Sequence, residues 1–350
     1  MQRNKLFRRL LLIMFILVLV SFYRLPYFVQ KPGVARELQP MIEVEGGNTG
    51  EAGTFMLTTV QIGKANLYTY ALAHFNKYEE ILTTKDLRLE GESEEEYNVR
   101  QLYYMENSKH HAVQVAYEKA NKEVRFDYKG VYVLKIVDGM PASKVLKAGD
   151  RIIKVDGHQF SASQEFIDYV GKKQADDIVR ITFLRNDKEM TKEIAVAAFD
   201  DTSDKVGIGV QLVDDREMHT DPAIHVDTEG IGGPSAGLMF SLEIYNQLTE
   251  EDITHGYFIA GTGTISPNGE VGRIGGIDQK VVAAHRAGAD LFFAPDDEIP
   301  DEWKDHPDVL TNYEEAKKTA EDIGTNMKIV PVKTFDDALL FLGSLDKNKS

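Results

Sequence analysis

The pattern of hydrophobic and polar positions divides the chain into four parts. An uninterrupted apolar run lies at residues 10–20 and is followed by a stretch of mixed strand-like and helical spacing. Short β runs with one helix come next, and strands then alternate with helices. We therefore predict an α+β protein with segments at residues 1–30, 31–122, 123–199 and 200–345. In the last segment, helices are predicted at residues 235–248, 278–287, 313–323 and 335–342.

The N-terminal apolar run has the features of a membrane anchor. Cationic side chains precede it at Arg3, Lys5, Arg8 and Arg9, and further apolar residues extend it to residue 29. A spanning helix needs about 20 apolar residues, and no small-x-small cleavage site follows the run. The sequence predicts an uncleaved single-pass helix that contacts the lipid bilayer through residues 10–29. Its N-terminus would be cytoplasmic, and the rest of the chain would lie outside the cell membrane.

Composition excludes several kinds of chemistry. The chain has 56 acidic and 40 basic side chains and a net charge of −16, so it should repel the phosphate backbone of nucleic acids. It has no cysteine, which excludes disulfides, thiolate metal sites and a cysteine nucleophile. The His-Glu-x-x-His motif is also absent, and we expect no metal and no other cofactor. Reactive groups must come from serine, lysine, histidine or carboxylate side chains.

A glycine-rich loop at residues 229–235 ends at Ser235, immediately before an apolar helical stretch. Backbone N–H groups at a helix N-terminus are unpaired and carry partial positive charge, which suits a developing oxyanion. Gly232 and Gly233 allow a substrate backbone to approach closely because they have no Cβ, and Pro234 completes this candidate oxyanion and substrate loop. Ser235 is therefore a candidate nucleophile. The alternative is a helix N-cap after a Gly-Pro turn.

A second glycine-rich segment runs from residue 261 to Lys280, which falls in the first turn of another predicted helix. A lysine acts as a base near neutral pH only if burial or positive potential lowers its pKa from about 10.4. The helix N-terminus supplies positive potential, and Ile274, Ile277 and Val281 can supply an apolar environment. Lys280 is therefore a candidate general base, and an exposed surface lysine is the alternative.

Together the two segments resemble the proteolytic domain of Lon proteases. Gly-Pro-Ser-Ala-Gly around Ser235 matches the nucleophile motif of the family. Thr-Gly-x-Ile, Gly-Glu-Val, Ile-Gly-Gly and Lys280 match its lysine motif in order and spacing. The resemblance implies the ribosomal protein S5 domain 2-like fold and a Ser-Lys dyad, with Thr262 orienting the lysine amine. It also implies a homo-oligomer, because Lon-type domains commonly form rings.

Two departures from the ATP-dependent Lon pattern affect the predicted function. The acidic residue that the family usually has three positions before the serine is Gly232 here; Glu229 is a candidate to replace it. The chain also has no Gly-x-x-x-x-Gly-Lys-Ser/Thr phosphate loop. We therefore expect an ATP-independent serine endopeptidase whose protein or peptide substrates have unfolded tails or exposed termini.

The segment from residue 129 to 157 resembles a PDZ domain, with Lys-Gly-Val-Tyr-Val-Leu-Lys-Ile-Val-Asp-Gly-Met-Pro-Ala-Ser followed by Leu-Lys-Ala-Gly-Asp-Arg-Ile-Ile-Lys-Val-Asp-Gly. The backbone N–H groups of a loop can hold a carboxylate, and the strand that follows can pair with an extended peptide. The residues predicted for this role are Tyr128, Lys129, Gly130 and Val131. Residues 163–170 would form the helix beside the peptide. The alternative is a small β domain with a purely structural role.

Behind the N-terminal apolar segment, the two resemblances together point to a membrane-anchored PDZ-containing Lon-like peptidase that cleaves envelope or membrane-associated proteins. Residues 31–122 could also contribute strands to the catalytic domain, which would make the PDZ region an insertion. Gly-x-Ser-x-Gly around Ser235 leaves an α/β-hydrolase esterase as an alternative, with Asp290 or Asp296 and His306 downstream. A non-catalytic PDZ scaffold is the other alternative.

Overall fold

The structure is a computed structural model that describes residues 22–199, 205–299, 301–303 and 309–346, together with Phe7, Arg8, Leu11, Met14 and Phe15. It has a mixed α/β architecture with two large sheets. The strands are β1 (Arg24–Glu37), β2 (Ile42–Val44), β3 (Thr54–Asn66), β4 (Glu80–Thr83), β5 (Glu123–Ile136), β6 (Arg151–Val155), β7 (Ile178–Arg185), β8 (Lys188–Ala195), β9 (Ala197–Ala198), β10 (Val206–Gly207), β11 (Val210–Asp221), β12 (Ile224–Val226), β13 (Phe258–Gly261), β14 (Thr264–Ile265), β15 (Val271–Gly272), β16 (Leu291–Pro295) and β17 (Lys328–Val332). The α-helices are α1 (Leu67–Ala73), α2 (Thr84–Leu87), α3 (Glu94–Lys119), α4 (Ser163–Gly171), α5 (Gly237–Leu248), α6 (Ile277–Arg286), α7 (Asn312–Asp322) and α8 (Phe335–Gly343).

The larger sheet has the strand order β17-β16-β13-β3-β1-β4. Strands β17, β16, β13 and β3 run parallel to one another, whereas β1 pairs antiparallel with both β3 and β4. Strands from before residue 67 and after residue 257 therefore share one sheet. This sheet carries the two glycine-rich segments that the sequence points to.

Helices cover both faces of the larger sheet. Side chains alternate between the two faces along a strand, and neighbouring residues of β16 enter different cores. Phe293 packs with residues of α3, α5 and α8, whereas Phe292 packs with residues of α6 and α7. Parallel strands that are buried on both sides are typical of such layered α/β units. The sheet therefore holds α5 and α6, the helices that follow the two glycine-rich segments, on opposite faces.

The smaller sheet has the order β11-β5-β6-β7-β8, and all its neighbours are antiparallel. Its core includes Val133, Ile152, Phe166 and Phe183, so α4 is packed into it through Phe166. β11 is an edge strand: one edge pairs with β5, and α4 contacts β10 and β11. An edge strand presents unpaired backbone groups that another chain can use.

Strands β5 and β11 pair along their whole length, from Ile136 opposite Val210 to Glu123 opposite Asp221. The strands therefore enter and leave the smaller sheet side by side. Next to the point where the chain enters and leaves this sheet, the hydroxyl of Tyr117 on α3 donates a 2.8 Å hydrogen bond to the carbonyl of Pro222. This end of the smaller sheet is thereby fixed to α3.

The predicted membrane anchor is wrong. Residues 24–29 belong to β1, where Val29 is buried against Ala65 and Ala73. No helix among the described residues is long and apolar enough to cross a bilayer. Most of residues 10–21 lie outside the described part of the chain. Residues 31–37 continue β1.

Candidate active site

Ser235 lies two residues before α5, at the end of the glycine-rich loop. The helix begins at Gly237 rather than at Ser235, so the serine precedes the first helical turn instead of lying within it. Gly237 cannot carry a larger side chain, because a Cβ there would be 2.6 Å from Ile265 and 2.9 Å from the Ser108 hydroxyl. Ser235 is partly exposed to solvent, while Ala236 and most of α5 are buried. Its hydroxyl is therefore accessible and held on a rigid element.

Lys280 lies in the first turn of α6, which begins at Ile277. Only 2% of the residue is exposed, and its neighbours Ile277 and Val281 belong to the core between the sheet and α6. This burial disfavours the charged amine and lowers the pKa of Lys280 to about 7. Desolvation by burial is therefore sufficient to make Lys280 partly neutral at neutral pH.

The structure brings Ser235, Lys280 and Thr262 together. The amine Nζ of Lys280 lies 2.8 Å from Ser235 Oγ and 3.0 Å from Thr262 Oγ1. The Thr262 hydroxyl in turn donates a 2.9 Å hydrogen bond to the backbone carbonyl of Ser235. Because that hydroxyl proton is used, the Thr262 oxygen can accept an N–H from the amine, and the amine lone pair is free to face the serine.

Helix α3 holds the loop before the serine, a role that its residues do not indicate in the sequence. The N–H of Gly233 donates to the carbonyl of Gln101 at 2.9 Å, and the buried hydroxyl of Ser108 donates to the carbonyl of Pro234 at 2.9 Å. The Gly233 N–H is therefore unavailable to an oxyanion, and Pro234 has none. Within the described part of the chain, the N–H groups of Gly232 and Ser235 have no acceptor. These two remain as oxyanion donors.

The turn before α6 is hydrogen-bonded to the side chain of Asn312, the first residue of α7. Its side-chain oxygen accepts the N–H of Ile274 at 2.8 Å, and its side-chain amide donates to the carbonyl of Ile274 at 3.1 Å. Asn312 is 1% exposed, so these bonds are shielded from water. Next to it, Arg273 pairs with Asp297, whose side chain is almost completely buried. The chain is thus fixed three residues before the lysine-bearing helix begins.

Ser235 and Lys280 line a cleft of about 1530 Å³, whereas Thr262 is buried behind them. Its walls come from β1 and β3 on one side and from α3 and residues 230–236 on the other. The parallel pairing of β3 with β13 ends at Leu57 opposite Gly261. Beyond this point no described strand pairs with that edge of β3, and residues 58–64 line the cleft. The cleft therefore offers a free strand edge beside the serine.

The residues predicted to bind a peptide in the PDZ region lie in a strand that pairs with β11. Tyr128, Lys129, Gly130 and Val131 lie in β5, which has β11 on one edge and β6 on the other. Val131 faces Asp214 on one side and Ile152 on the other, so its backbone has no free edge for a peptide. The strand that pairs with β5 at these residues, β11, comes from much later in the chain.

The free edge lies instead on β11, preceded by Gly207, Ile208 and Gly209. The carbonyls of Ile208 and Gly209 accept hydrogen bonds from the N–H groups of Ala142 and Val137, both at 2.9 Å. The N–H groups of Ile208 and Gly209, by contrast, have no acceptor among the described residues. Consecutive free N–H groups favour an anion such as a carboxylate. The signal in the sequence was Gly-Ile-Gly-Val at the start of a β run.

Other predicted groups are not brought to the site. His306, the base of the alternative esterase, lies outside the described residues. Glu229 is exposed, and its backbone N–H donates to Asp227 at 2.9 Å. No group of three or more His, Asp or Glu side chains in the described ranges is arranged to hold a metal ion. The polar partners described for the Ser235 hydroxyl and the Lys280 amine are therefore each other and Thr262.

Two parts of the chain match the models of known domain families. Residues 105–196 match the model of the PDZ domain, and residues 184–340 match that of the Lon protease (S16) C-terminal proteolytic domain. A Lon protease from Desulforamulus reducens is 31% identical over 43% of this chain and 16% of its own length. One from Fusobacterium nucleatum is 35% identical over 35% of this chain and 14% of its own length. The chain thus matches only about a sixth of the length of these relatives.

Among solved structures, the PDZ domain of the SdrC-like protein from Listeria monocytogenes is 44% identical; the match covers 25% of this chain and 90% of that one, with a TM-score of 0.24. The family matches make the C-terminal part of the chain a serine peptidase domain. The chain thus combines a Lon-type (S16) proteolytic domain with a PDZ domain.

Proposed function

We propose that the chain is a serine endopeptidase in which Ser235 is the nucleophile and Lys280 its general base. The observation that carries this proposal is the 2.8 Å distance between Lys280 Nζ and Ser235 Oγ, in a place where burial lowers the pKa of the lysine to about 7. A base with a pKa near the working pH combines a useful neutral fraction with good proton affinity. Protein or peptide substrates are expected, because the peptidase domain is combined with a PDZ domain.

In the proposed reaction, neutral Lys280 takes the hydroxyl proton as Ser235 attacks the peptide carbonyl. The N–H groups of Gly232 and Ser235 donate to the oxyanion that forms. Lys280 then gives the proton to the leaving amine, and water releases the acyl-enzyme in the same way. Thr262 keeps the amine pointed at the serine through both steps.

An extended, unfolded segment is the substrate that the cleft favours. Such a segment can add to the free edge of β3 at residues 58–64, where backbone hydrogen bonds tolerate many sequences. We propose that short unfolded segments are cut without nucleotide. The support is that this chain contains no phosphate-loop motif.

The PDZ domain would bind substrates through their C-termini. A peptide that adds to the free edge of β11 would place its carboxylate at the N–H groups of Ile208 and Gly209. Helix α4 would cover its side chains, and Ile167 of that helix is 46% exposed and free to contact an apolar residue. Proteins with apolar C-terminal residues are therefore the preferred substrates.

The test is hydrolysis of a quenched fluorescent peptide of about ten residues, with and without ATP, by the wild type and by Ser235→Ala. Because only the neutral amine is a base, kcat/KM should rise about tenfold per pH unit below the Lys280 pKa. It should level off above pH 7 to 8. Ser235→Ala should remove the activity. A flat profile from pH 6 to 9, or hydrolysis that survives in Ser235→Ala, would refute the proposal.

A further inference from the structure

A groove of about 1140 Å³ lies between α3 and β11. Its lining includes Ser163 at the start of α4 and Asp214 of β11, which are joined by a 2.8 Å hydrogen bond from the Ser163 N–H. It also includes Leu102 and Met105 of α3, which line the catalytic cleft as well. The groove and the cleft therefore share a wall on α3.

The direction of a bound peptide follows from the position of the free N–H groups. They lie at Ile208 and Gly209, directly before β11. A peptide whose carboxylate binds there and whose backbone pairs with β11 must run antiparallel to it. Its residues upstream of the C-terminus then pass towards Asp214, which lines the groove.

The walls of the groove suit a chain of varied sequence. Its charged side chains are paired with one another, Arg151 with Asp215 and Arg216 with Asp214, so neither sign of charge dominates. Its apolar contacts include Leu102, which is 59% exposed, and Tyr103 stacked on Tyr132. Exposed apolar groups between neutralised charges fit an extended polypeptide better than one fixed ligand.

We propose that this groove guides the substrate from the PDZ domain to Ser235. A substrate bound at β11 by its C-terminus runs along α3 and enters the catalytic cleft with its upstream residues. Cleavage therefore occurs at a set distance before the C-terminus, and the protein is shortened from its tail. This inference rests on the proposed function for its last step, but the path itself can be tested without catalysis.

The test uses the absence of cysteine from the chain. Single cysteines are introduced into the full-length Ser235→Ala variant at Arg216 in the groove, Asn98 in the cleft, or Lys192 on β8 as a control. All three residues are exposed. Each variant is mixed with peptides of one sequence that end in a free carboxylate and carry one cysteine at increasing distances from it. Disulfide formation is quantified by mass spectrometry.

We expect Arg216→Cys to react with cysteines near the C-terminus and Asn98→Cys with cysteines further upstream. Lys192→Cys should show no preferred distance. Amidation of the peptide C-terminus should lower both specific yields about tenfold, because it removes charge-assisted hydrogen bonds. The same preferred distance at both sites, the reverse order, or yields that amidation leaves unchanged would overturn the path. Hydrolysis of short peptides by the wild type, measured separately, shows whether the proposed function fails instead.

Discussion

The catalytic cleft and the free edge of β11 are built from different kinds of groups. In the cleft the reactive group is a side chain whose chemistry depends on burial, since Lys280 is 2% exposed and its pKa is lowered to about 7. At β11 the proposed binding groups are the backbone N–H groups of Ile208 and Gly209, which have no acceptor among the described residues. Changes in the cleft should therefore act on the rate of chemistry, and changes at β11 on the binding of C-terminal tails.

The largest effect is expected from Lys280→Met, which keeps an unbranched buried side chain but removes the base. We expect kcat to fall about 10²- to 10⁴-fold on short peptides. Cleavage of tailed substrates should fall by the same factor, while tail binding stays unchanged, as measured by fluorescence anisotropy. A variant that loses tail binding together with activity would show that the two regions are not separate.

Lys280→Met should also change the pH dependence of stability. Burial holds the folded pKa of Lys280 at about 7, below the unfolded value of about 10.4. The unfolded state therefore binds more protons between these values, and the wild type gains stability as pH rises through this window. Urea unfolding at pH 7, 8 and 9 should show this rise in the wild type and its loss in Lys280→Met.

Ser108→Ala tests whether α3 positions the nucleophile loop. It leaves the carbonyl of Pro234 without the 2.9 Å hydrogen bond from Ser108. A small shift of the oxyanion donors should lower kcat about 10- to 100-fold with little change in KM. Ser143→Ala is the matched control, because Ser143 also donates to a backbone carbonyl, that of Met140, but lies in the PDZ region. Equal losses in both variants would point to general destabilisation.

Gly209→Ala should weaken the proposed binding site for C-terminal tails at Ile208 and Gly209 (the tail site) without affecting the cleft. Gly209 has φ of 84°, and a Cβ there would lie 2.0 Å from Cβ of Met140, so the loop must move. We expect KM for a tailed substrate to rise about tenfold because charge-assisted hydrogen bonds are lost, and short peptides to be cut as before. Gly139→Ala is the control: its φ is 78°, but its Cβ would meet nothing within 4 Å.

The smallest effect concerns Glu51, which faces the buried Glu243 on α5. Burial and this neighbouring carboxyl raise the pKa of Glu51 to about 8. The folded state therefore binds more protons than the unfolded state between about pH 4.5 and 8, and stability falls as pH rises through that window. Glu51→Gln should flatten this fall without changing kcat. If the free energy of unfolding, measured with urea, fell with pH as steeply in Glu51→Gln as in the wild type, Glu51 would not be the source of the fall.

The residues of the dyad could be predicted because each lies in a short segment with a strong local signal. The glycine-rich loop and the following apolar helix mark Ser235, and the apolar residues around Lys280 indicate its burial. The helices predicted in the last segment agree with α5 to α8 within two residues. The catalytic roles themselves stay predictions until the variants are measured.

Contacts between distant parts of the chain could not be predicted in the same way. Ser108 and Pro234 are 126 positions apart, and helical spacing in α3 gave no hint of what it holds. The tail site was placed on β5 because the strand that covers it, β11, follows the PDZ-like pattern in sequence. The apolar residues of β1 were attributed to a membrane helix, because a short apolar run does not distinguish a buried strand from a helix.

The pairing of Glu123 with Asp221 has a consequence for the design of fragments. Since the strands enter and leave the smaller sheet as neighbours, we expect that a two-residue turn could replace everything between them and leave a peptidase that no longer selects tails. A fragment that starts at residue 200 should behave in the opposite way. It would lack β1, β3 and α3, and with them one wall of the cleft and the support of its loop.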